Sequence, residues 1–195
     1  MPNTSKYSSP SLPRALDKKP ALKKKALDFL ATVSPEQKKK DFEKFQMFVR
    51  GEITWAEIKG FPKYMLKELA RIAYTKYKSG DYRVAESLFK GLSIIDHVNW
   101  YYRSALGAIY QKQKFYDQAI EEYDMALTLN NQEISSLTNR GECQMRLNNF
   151  SAALKDFEMA LSLDPEMRNS WTKRAQTLKK RLNLEGRGEF TLEDE

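Results

Sequence analysis

Few residues of this 195-residue chain could do chemistry, and those few do not converge. The only histidine, His97, follows Asp96, but no serine or cysteine nucleophile stands at a spacing typical of a catalytic triad. The only cysteine, Cys143, excludes an intramolecular disulfide and has no Cys or His neighbour at metal-ligand spacing. A glycine-rich phosphate loop, an HExxH motif and paired CxxC motifs are also missing. We therefore interpret the chain as a binding protein, not an enzyme, and expect no cofactor and no metal.

The elements that would position a binding site repeat at a period of 34 residues. One unit occupies Tyr102 to Asn131 and carries a cluster on each side of a turn, namely Leu106, Gly107 and Tyr110, then Ala119, Tyr123 and Ala126. The same spacing leads forward to Gly141, Ala153, Phe157 and Ala160, and back to Ala73, Ala85, Phe89 and Leu92. This is the skeleton of a tetratricopeptide repeat, in which small residues allow close helix approach and aromatic rings fill the space between units. The alternative is an unrelated helical bundle with coincidental spacing.

The pattern predicts an all-α fold, a right-handed superhelix of three tetratricopeptide repeats with N-terminal helices and a C-terminal capping helix. Proline-rich, lysine-rich residues 1–20 are expected to form a disordered basic tail. The other predicted segments are an N-terminal helical segment at 21–62, a repeat domain at 63–184 and a flexible acidic tail at 185–195. Within the repeat domain we expect repeats at about 66–99, 100–133 and 134–167, and the capping helix at 168–182.

An apolar stripe lies in the second N-terminal helix, which should begin at Ser34 and Pro35 because serine caps helices and proline suits the first helical position. Phe42, Phe45 and Val49 recur there at spacings of three and four residues. Such a stripe either folds back on the repeats or packs against another copy of the chain. We take these three residues as a candidate dimerisation surface.

The whole net charge of +7 resides in the N-terminal segment. Residues 1–50 hold 12 basic and 5 acidic side chains, whereas residues 51–195 hold 21 of each. A basic tail can attract nucleic acid, acidic protein surfaces or anionic lipid, but such tails are more often simply solvated and flexible. No apolar run approaches the roughly 18 residues needed to cross a bilayer, and the N-terminus lacks the features of a secretory signal. We expect a cytoplasmic protein without stable membrane insertion.

The first helices of such repeats line the concave side of the superhelix, and the second, fifth, ninth and twelfth positions of each unit face the groove. From the first unit to the third these positions are Lys67, Ala70, Tyr74 and Tyr77; Tyr101, Ser104, Ala108 and Gln111; and Ser135, Thr138, Glu142 and Met145. Aromatic residues with small neighbours form pockets for apolar side chains, and hydroxyl and amide groups can bond a peptide backbone. The stripe therefore predicts a peptide-binding groove. The tyrosines could instead simply pack as core residues.

The stretch from Glu68 to Ile120 resembles a particular family, the class II chaperones of type III secretion translocators typified by SycD, LcrH and IpgC. The resemblance rests on the first repeat from Ala73 to Phe89, the Asp96–His97 pair, the LGA of Leu106 to Ala108 and the YDQAI of Tyr116 to Ile120. Upstream, Gly51 to Phe61 is similar to the segment that precedes the first repeat in this family. The resemblance covers about Gly51 to Leu182 and leaves the first 50 residues outside it.

This resemblance implies a bacterial chaperone whose groove holds an extended, proline-containing segment of a hydrophobic translocator protein. The chaperone would keep that client soluble and competent for export, and family members often self-associate through N-terminal helices. The family's groove aromatics correspond to Tyr74, Tyr77 and, less closely, Tyr101. Ala70 departs from the family where an aromatic residue is common, and Lys112 and Lys114 make the second turn more basic than usual.

Two other functions make different demands on the sequence. A general tetratricopeptide adaptor of the carboxylate-clamp type would need Lys, Asn and Arg side chains at positions occupied here by Ala70, Tyr74, Ala105, Ser135 and Asn139. A nucleic-acid-associated protein would use the lysine-rich N-terminus and would lose affinity steeply with salt. We expect no nucleic-acid partner.

Overall fold

The computed structural model of the protein describes residues 20–185, and all regular secondary structure within that range is α-helical, as predicted. The tails predicted for residues 1–20 and 185–195 lie outside the described residues, except for their innermost residue. The helices are α1 (Pro20–Thr32), α2 (Pro35–Val49), α3 (Trp55–Ile58), α4 (Lys63–Lys78), α5 (Tyr82–Ile95), α6 (Trp100–Lys112), α7 (Tyr116–Leu129), α8 (Ile134–Arg146), α9 (Phe150–Leu163) and α10 (Ser170–Glu185).

The chain divides into two compact units, residues 1–50 and 51–195. The first contains α1 and α2. Ser34 caps α2 as predicted, because its hydroxyl oxygen accepts a hydrogen bond of 3.1 Å from the backbone N–H of Gln37, and Pro35 occupies the first turn. No residue of α2 is buried.

The second unit begins with the short helix α3, which the sequence analysis grouped with the N-terminal segment. A capping box starts it, since the Thr54 hydroxyl accepts from the Glu57 N–H and the Glu57 carboxylate accepts from the Thr54 N–H. Ala56 of α3 is buried in the same core as the first repeat, and α3 contacts α5. This packing is the physical reason that the unit with the repeats starts at Gly51 and not at residue 63.

The remaining helices pack in consecutive pairs, α4 with α5, α6 with α7 and α8 with α9, and α10 covers α8 and α9. Phe89, Tyr123 and Phe157 are almost fully buried between them. A Cβ atom built on Gly107 would lie 2.7 Å from Cε1 of Tyr123, and one on Gly141 would lie 2.6 Å from Cε1 of Phe157. The small residues therefore let the paired helices approach as closely as the sequence pattern implied.

The turn inside each repeat adopts the same left-handed backbone at the same position. Gly80 has φ of 81°, and Lys114 and Asn148, which follow it at the repeat period, have φ of 64° and 61°. Only the first turn uses glycine, for which this region carries no steric penalty. The fold therefore imposes the turn geometry on lysine and asparagine in the second and third repeats.

The loop before α10 explains why that helix begins at Ser170 and not at the expected residue 168. The Asp164 carboxylate accepts hydrogen bonds from the backbone N–H groups of Asn169, at 2.9 Å, and Arg168, at 3.2 Å. These bonds hold the pKa of Asp164 below its usual value. Met167, which precedes these two residues, takes a left-handed φ of 51° and so cannot belong to the helix.

Candidate peptide-binding groove

The three first helices, α4, α6 and α8, form the inner side of a curved stack. In the described part of the chain α4 contacts α6 and α6 contacts α8, whereas α5 makes no such contact with α7, nor α7 with α9. Helices on the inside of a curve lie closer together than those on the outside. The residues predicted for the groove belong to these inner helices.

An aromatic cluster occupies the first-repeat end of the inner surface. The rings of Tyr74 and Tyr77 lie 6.1 Å apart between centroids, and Tyr77 lies 5.9 Å from Tyr82 at the start of α5. Tyr74 is 48% exposed, whereas Tyr77 is half-buried. The ring of Tyr74 is therefore accessible, while the ring of Tyr77 packs beside it and against that of Tyr82. This arrangement is suited to binding an apolar side chain.

Tyr101 of α6 extends this surface toward the second repeat. Its ring meets that of Phe89 edge-on at 5.9 Å, and about a third of the residue remains exposed. Burial raises the pKa of Tyr101, with a smaller contribution from the nearby Tyr74, and burial likewise raises the pKa of Tyr77. These phenols remain protonated at neutral pH, so each can both donate and accept a hydrogen bond.

Three predicted groove residues are buried in the walls of the stack. Ala70 and Ser104 are nearly inaccessible, and Thr138 is 0% exposed. The Ser104 hydroxyl oxygen accepts a hydrogen bond of 2.9 Å from the Ser136 hydroxyl, and Thr138 donates one of 3.3 Å to the Trp171 carbonyl oxygen. The fifth position of the second and third units thus joins its own first helix to the next one, and in this conformation it presents no surface to a ligand.

The second repeat contributes two further partly accessible residues, Ala108 and Gln111. The side-chain oxygen of Gln111 accepts a hydrogen bond of 2.9 Å from the hydroxyl of Tyr123, which is otherwise fully buried. This bond fixes the Gln111 amide, so its NH₂ group is the polar donor that the second repeat offers to a peptide backbone.

The third repeat is more closed than the sequence predicted. Both carboxylate oxygens of Glu142 accept from Arg174 of α10, each at 2.8 Å from Nη2. Only 13% of the Glu142 side chain is exposed, and Met145 packs against the second core cluster. The charge of Glu142 is therefore already paired within the molecule.

Two residues in contact with the predicted groove residues were not predicted: Tyr82, whose ring packs against Tyr77, and Arg174, which pairs with Glu142. Tyr82 follows Tyr77 across the first turn, so an aromatic residue opening the second helix was the available signal. Arg174 belongs to α10, for which the sequence predicts only a capping role. Its pairing with Glu142 spans 32 residues and carries no local sequence signal.

The single cysteine of the chain is inaccessible to solvent. Cys143 is fully buried, and burial raises the pKa of its thiol to about 12, so the reactive thiolate is scarce at neutral pH. Among the described residues no group of histidine, cysteine and carboxylate side chains could hold a metal ion. No helix in the described ranges is long and apolar enough to span a membrane.

The stacked helix pairs and inner groove define a tetratricopeptide-repeat protein, and the family model for that repeat matches residues 134–167, the predicted third repeat. Low calcium response locus protein H of Yersinia pestis is 27% identical over 115 residues, which cover 57% of this chain and 68% of that protein. Chaperone protein SicA of Salmonella dublin is 32% identical over 92 residues, 47% of this chain and 56% of that protein.

Solved structures from type III secretion systems also match the fold of this chain. A type III secretion complex from Aeromonas hydrophila matches with a TM-score of 0.69 and 21% identity over 75% of this chain and 99% of its own. Yersinia enterocolitica SycD bound to a peptide of the translocator YopD matches with a TM-score of 0.58 and 25% identity, over 63% of this chain and 95% of its own. An alternative dimer of SycD scores 0.59, also at 25% identity, over 62% and 93%. The chain is thus a relative of the class II type III secretion chaperones, which confirms the predicted resemblance and fold class.

Proposed function

We propose that the chain is a bacterial cytoplasmic chaperone of type III secretion translocator proteins and holds an extended segment of its client in the groove of α4, α6 and α8. The observation that carries the proposal is the accessible aromatic surface of Tyr74, Tyr77 and Tyr101 on the inner side of the stack. It occurs in a chain similar to a chaperone solved with a translocator peptide. The client would be a hydrophobic protein that must remain soluble before export.

Binding of this kind needs neither ATP nor a cofactor. An extended segment gains affinity from side-chain pockets and backbone hydrogen bonds, and a groove that is already formed loses little entropy on binding. The ring of Tyr77 packed beside Tyr74 and the hydrogen bond from Tyr123 to the Gln111 amide would hold these two binding groups in place. We place the main anchor of the client at the first and second repeats, because the third repeat is occupied by its own ion pair.

A carboxylate-clamp adaptor is disfavoured by the residues at the positions of the clamp. Ala70 and Ala105 have no polar side-chain group, and Asn139 is nearly buried. Recognition of a free C-terminal carboxylate needs cations or amides aimed into the groove. We therefore infer that the ligand is an internal extended segment, and we assign no catalytic role to the chain.

Replacement of Tyr74 and Tyr77 together by alanine is expected to weaken client binding by at least about tenfold, because aromatic anchors dominate such interfaces. The test is co-expression with the hydrophobic proteins encoded beside this gene, followed by measurement of soluble, co-purified client. Ile72→Ala is the matched control, since Ile72 is an exposed apolar residue of α4 two positions from Tyr74 and so lies on the opposite side of the helix. The proposal would be contradicted if no candidate client became soluble, or if the double variant co-purified as much client as the wild type.

We also propose that the chain forms a homodimer through Phe42, Phe45 and Val49 of α2. All three are exposed and lie on one face of a helix without a buried residue. Phe42→Ser with Phe45→Ser should therefore shift the molar mass from dimer to monomer in size-exclusion chromatography with light scattering. Lys40→Ser with Lys44→Ser, on the opposite face, should leave the mass unchanged. A wild-type protein that is monomeric at micromolar concentration would contradict the proposal.

A further inference from the structure

Four cations stand along one edge of the groove, and we call them the basic rim: Lys78, Lys112, Lys114 and Arg146. Lys78, Lys112 and Arg146 are the last residues of α4, α6 and α8, at the same position of successive repeats. All four residues are exposed, and none forms an ion pair with any residue that the structure describes. By contrast, Arg71, Arg103 and Arg140 on the same helices are all paired.

Helix capping does not account for this arrangement. Cations near a helix C-terminus favour the helix dipole, so the same preference should act on every helix of the stack. The last turns of α4, α6 and α8 each contain a basic residue, whereas the last turns of α5, α7 and α9 contain none. Within the stack of α4 to α9, the cations at helix C-termini are therefore all at the ends of the inner helices.

The rim borders the groove along its length. Tyr77, Gln111 and Met145, the twelfth positions of the three repeats, directly precede the three helix-terminal cations. A polypeptide extended along the groove passes each of these cations in turn. Phe115 and Phe150 are exposed at the adjoining turns and offer apolar contacts beside the charges.

We infer that the basic rim binds an acidic polypeptide segment of the same client whose apolar anchor lies in the groove. This inference rests on the proposed function and adds a chemical requirement to it, namely carboxylate side chains in or next to the bound segment. The partner is indicated by charge complementarity: the rim presents cations that form no ion pair with a described residue, and the rest of residues 51–195 holds more acidic than basic side chains. A polypeptide is favoured over nucleic acid because the rim follows the groove at one cation per repeat, with Lys114 as an addition at the second turn.

The test uses the full chain and a fluorescein-labelled octaglutamate peptide at about 50 mM salt, where exposed ion pairs are weakly screened. The rim variant is Lys78→Glu, Lys112→Glu and Arg146→Glu. Its matched control is Lys63→Glu, Lys173→Glu and Lys180→Glu, which changes the net charge equally at other exposed lysines that pair with no residue in the described range. A glutamine version of the rim variant guards against loss of folding, and circular dichroism checks all of the proteins.

The rim variants are expected to weaken octaglutamate binding about tenfold, the combined effect of three surface ion pairs, while the control changes it less than about twofold. Equal losses in rim and control variants would overturn the inference, as would no binding to the wild type. Tighter, rim-dependent binding of an eight-nucleotide single strand would assign the rim to nucleic acid and overturn it too. Tyr74→Ala with Tyr77→Ala should bind octaglutamate normally, so failure of the client test and failure of the rim test can be told apart.

Discussion

Replacing Arg140 by leucine is expected to lower the free energy of unfolding by about 3 to 5 kcal/mol, because it leaves a buried carboxylate without its ion-pair partner. The Arg140 guanidinium donates from Nε to Asp156 at 2.9 Å and also from Nη2 to the second Asp156 oxygen. Only 8% of the Asp156 side chain is exposed. A third bond of 2.6 Å reaches Asp124, but that side chain is 55% exposed and its share of the effect is small. Urea denaturation followed by circular dichroism measures the loss.

The chain provides its own reference for this ion pair. Ile72 and Leu88 occupy the same repeat positions in the first unit as Arg140 and Asp156 in the third. Because an apolar pair can replace a buried ion pair at little cost, Arg140→Leu combined with Asp156→Leu should recover to within about 1 kcal/mol of the wild type. Asp124→Ala, as the control, should cost less than about 1 kcal/mol. A loss below about 1 kcal/mol in the single variant would mean that water solvates Asp156 once the arginine is removed.

The repeat period did not predict the Arg140–Asp156 ion pair. Leu106 is a fully buried apolar residue of the second repeat, and the corresponding residue of the third repeat is Arg140. The burial of an arginine at that position cannot be explained from the repeat pattern alone, because its partner Asp156 is 16 residues further on. The pairing of the helices could be predicted, because small and aromatic residues that recur together at a fixed period are compatible with few arrangements of helices.

The groove was predicted only in part, for a similar reason. Position within the repeat identified the inner helices and the exposed rings of Tyr74 and Tyr101. It did not distinguish residues facing the open groove from Ser104 and Thr138, whose hydroxyls bond to the neighbouring helix. That distinction depends on how closely consecutive first helices approach one another. The distance between consecutive first helices is set by the packing of several side chains, so it cannot be predicted from the groove positions of one helix alone.

The two ends of the groove consequently differ in chemistry. The first-repeat end offers accessible aromatic surface, whereas the third-repeat end carries the Glu142–Arg174 ion pair that ties α10 to α8. A client segment gains most from desolvating the rings, because burying an already paired charge gives little. We therefore expect the apolar anchor at the first and second repeats, with the basic rim acting along the whole length.

Gly141→Val is expected to lower the free energy of unfolding by about 3 kcal/mol, because the space that its side chain requires is filled by Phe157. The Cβ atom alone would lie 2.6 Å from Cε1 and 3.0 Å from Cδ1 of that ring. Phe157 is fully buried, so the ring cannot swing into solvent to relieve the clash. The small gain in helix propensity on replacing glycine offsets only a fraction of this cost. Thermal and urea unfolding of the purified variant measure the change.

Gly91→Val provides the matched control, since Gly91 lies inside α5 with no atom within 4 Å of its added Cβ. The identical substitution there should change stability by less than about 0.5 kcal/mol. Phe157→Leu in the Gly141→Val background should restore part of the loss, because a smaller side chain leaves room for the valine. Purely additive effects would instead show that the helices separate as a unit, and that the clash with the ring does not set the distance between α8 and α9. Partial rescue would establish the small residue and the ring as one packing element, which is the physical reason the two recur together in this chain.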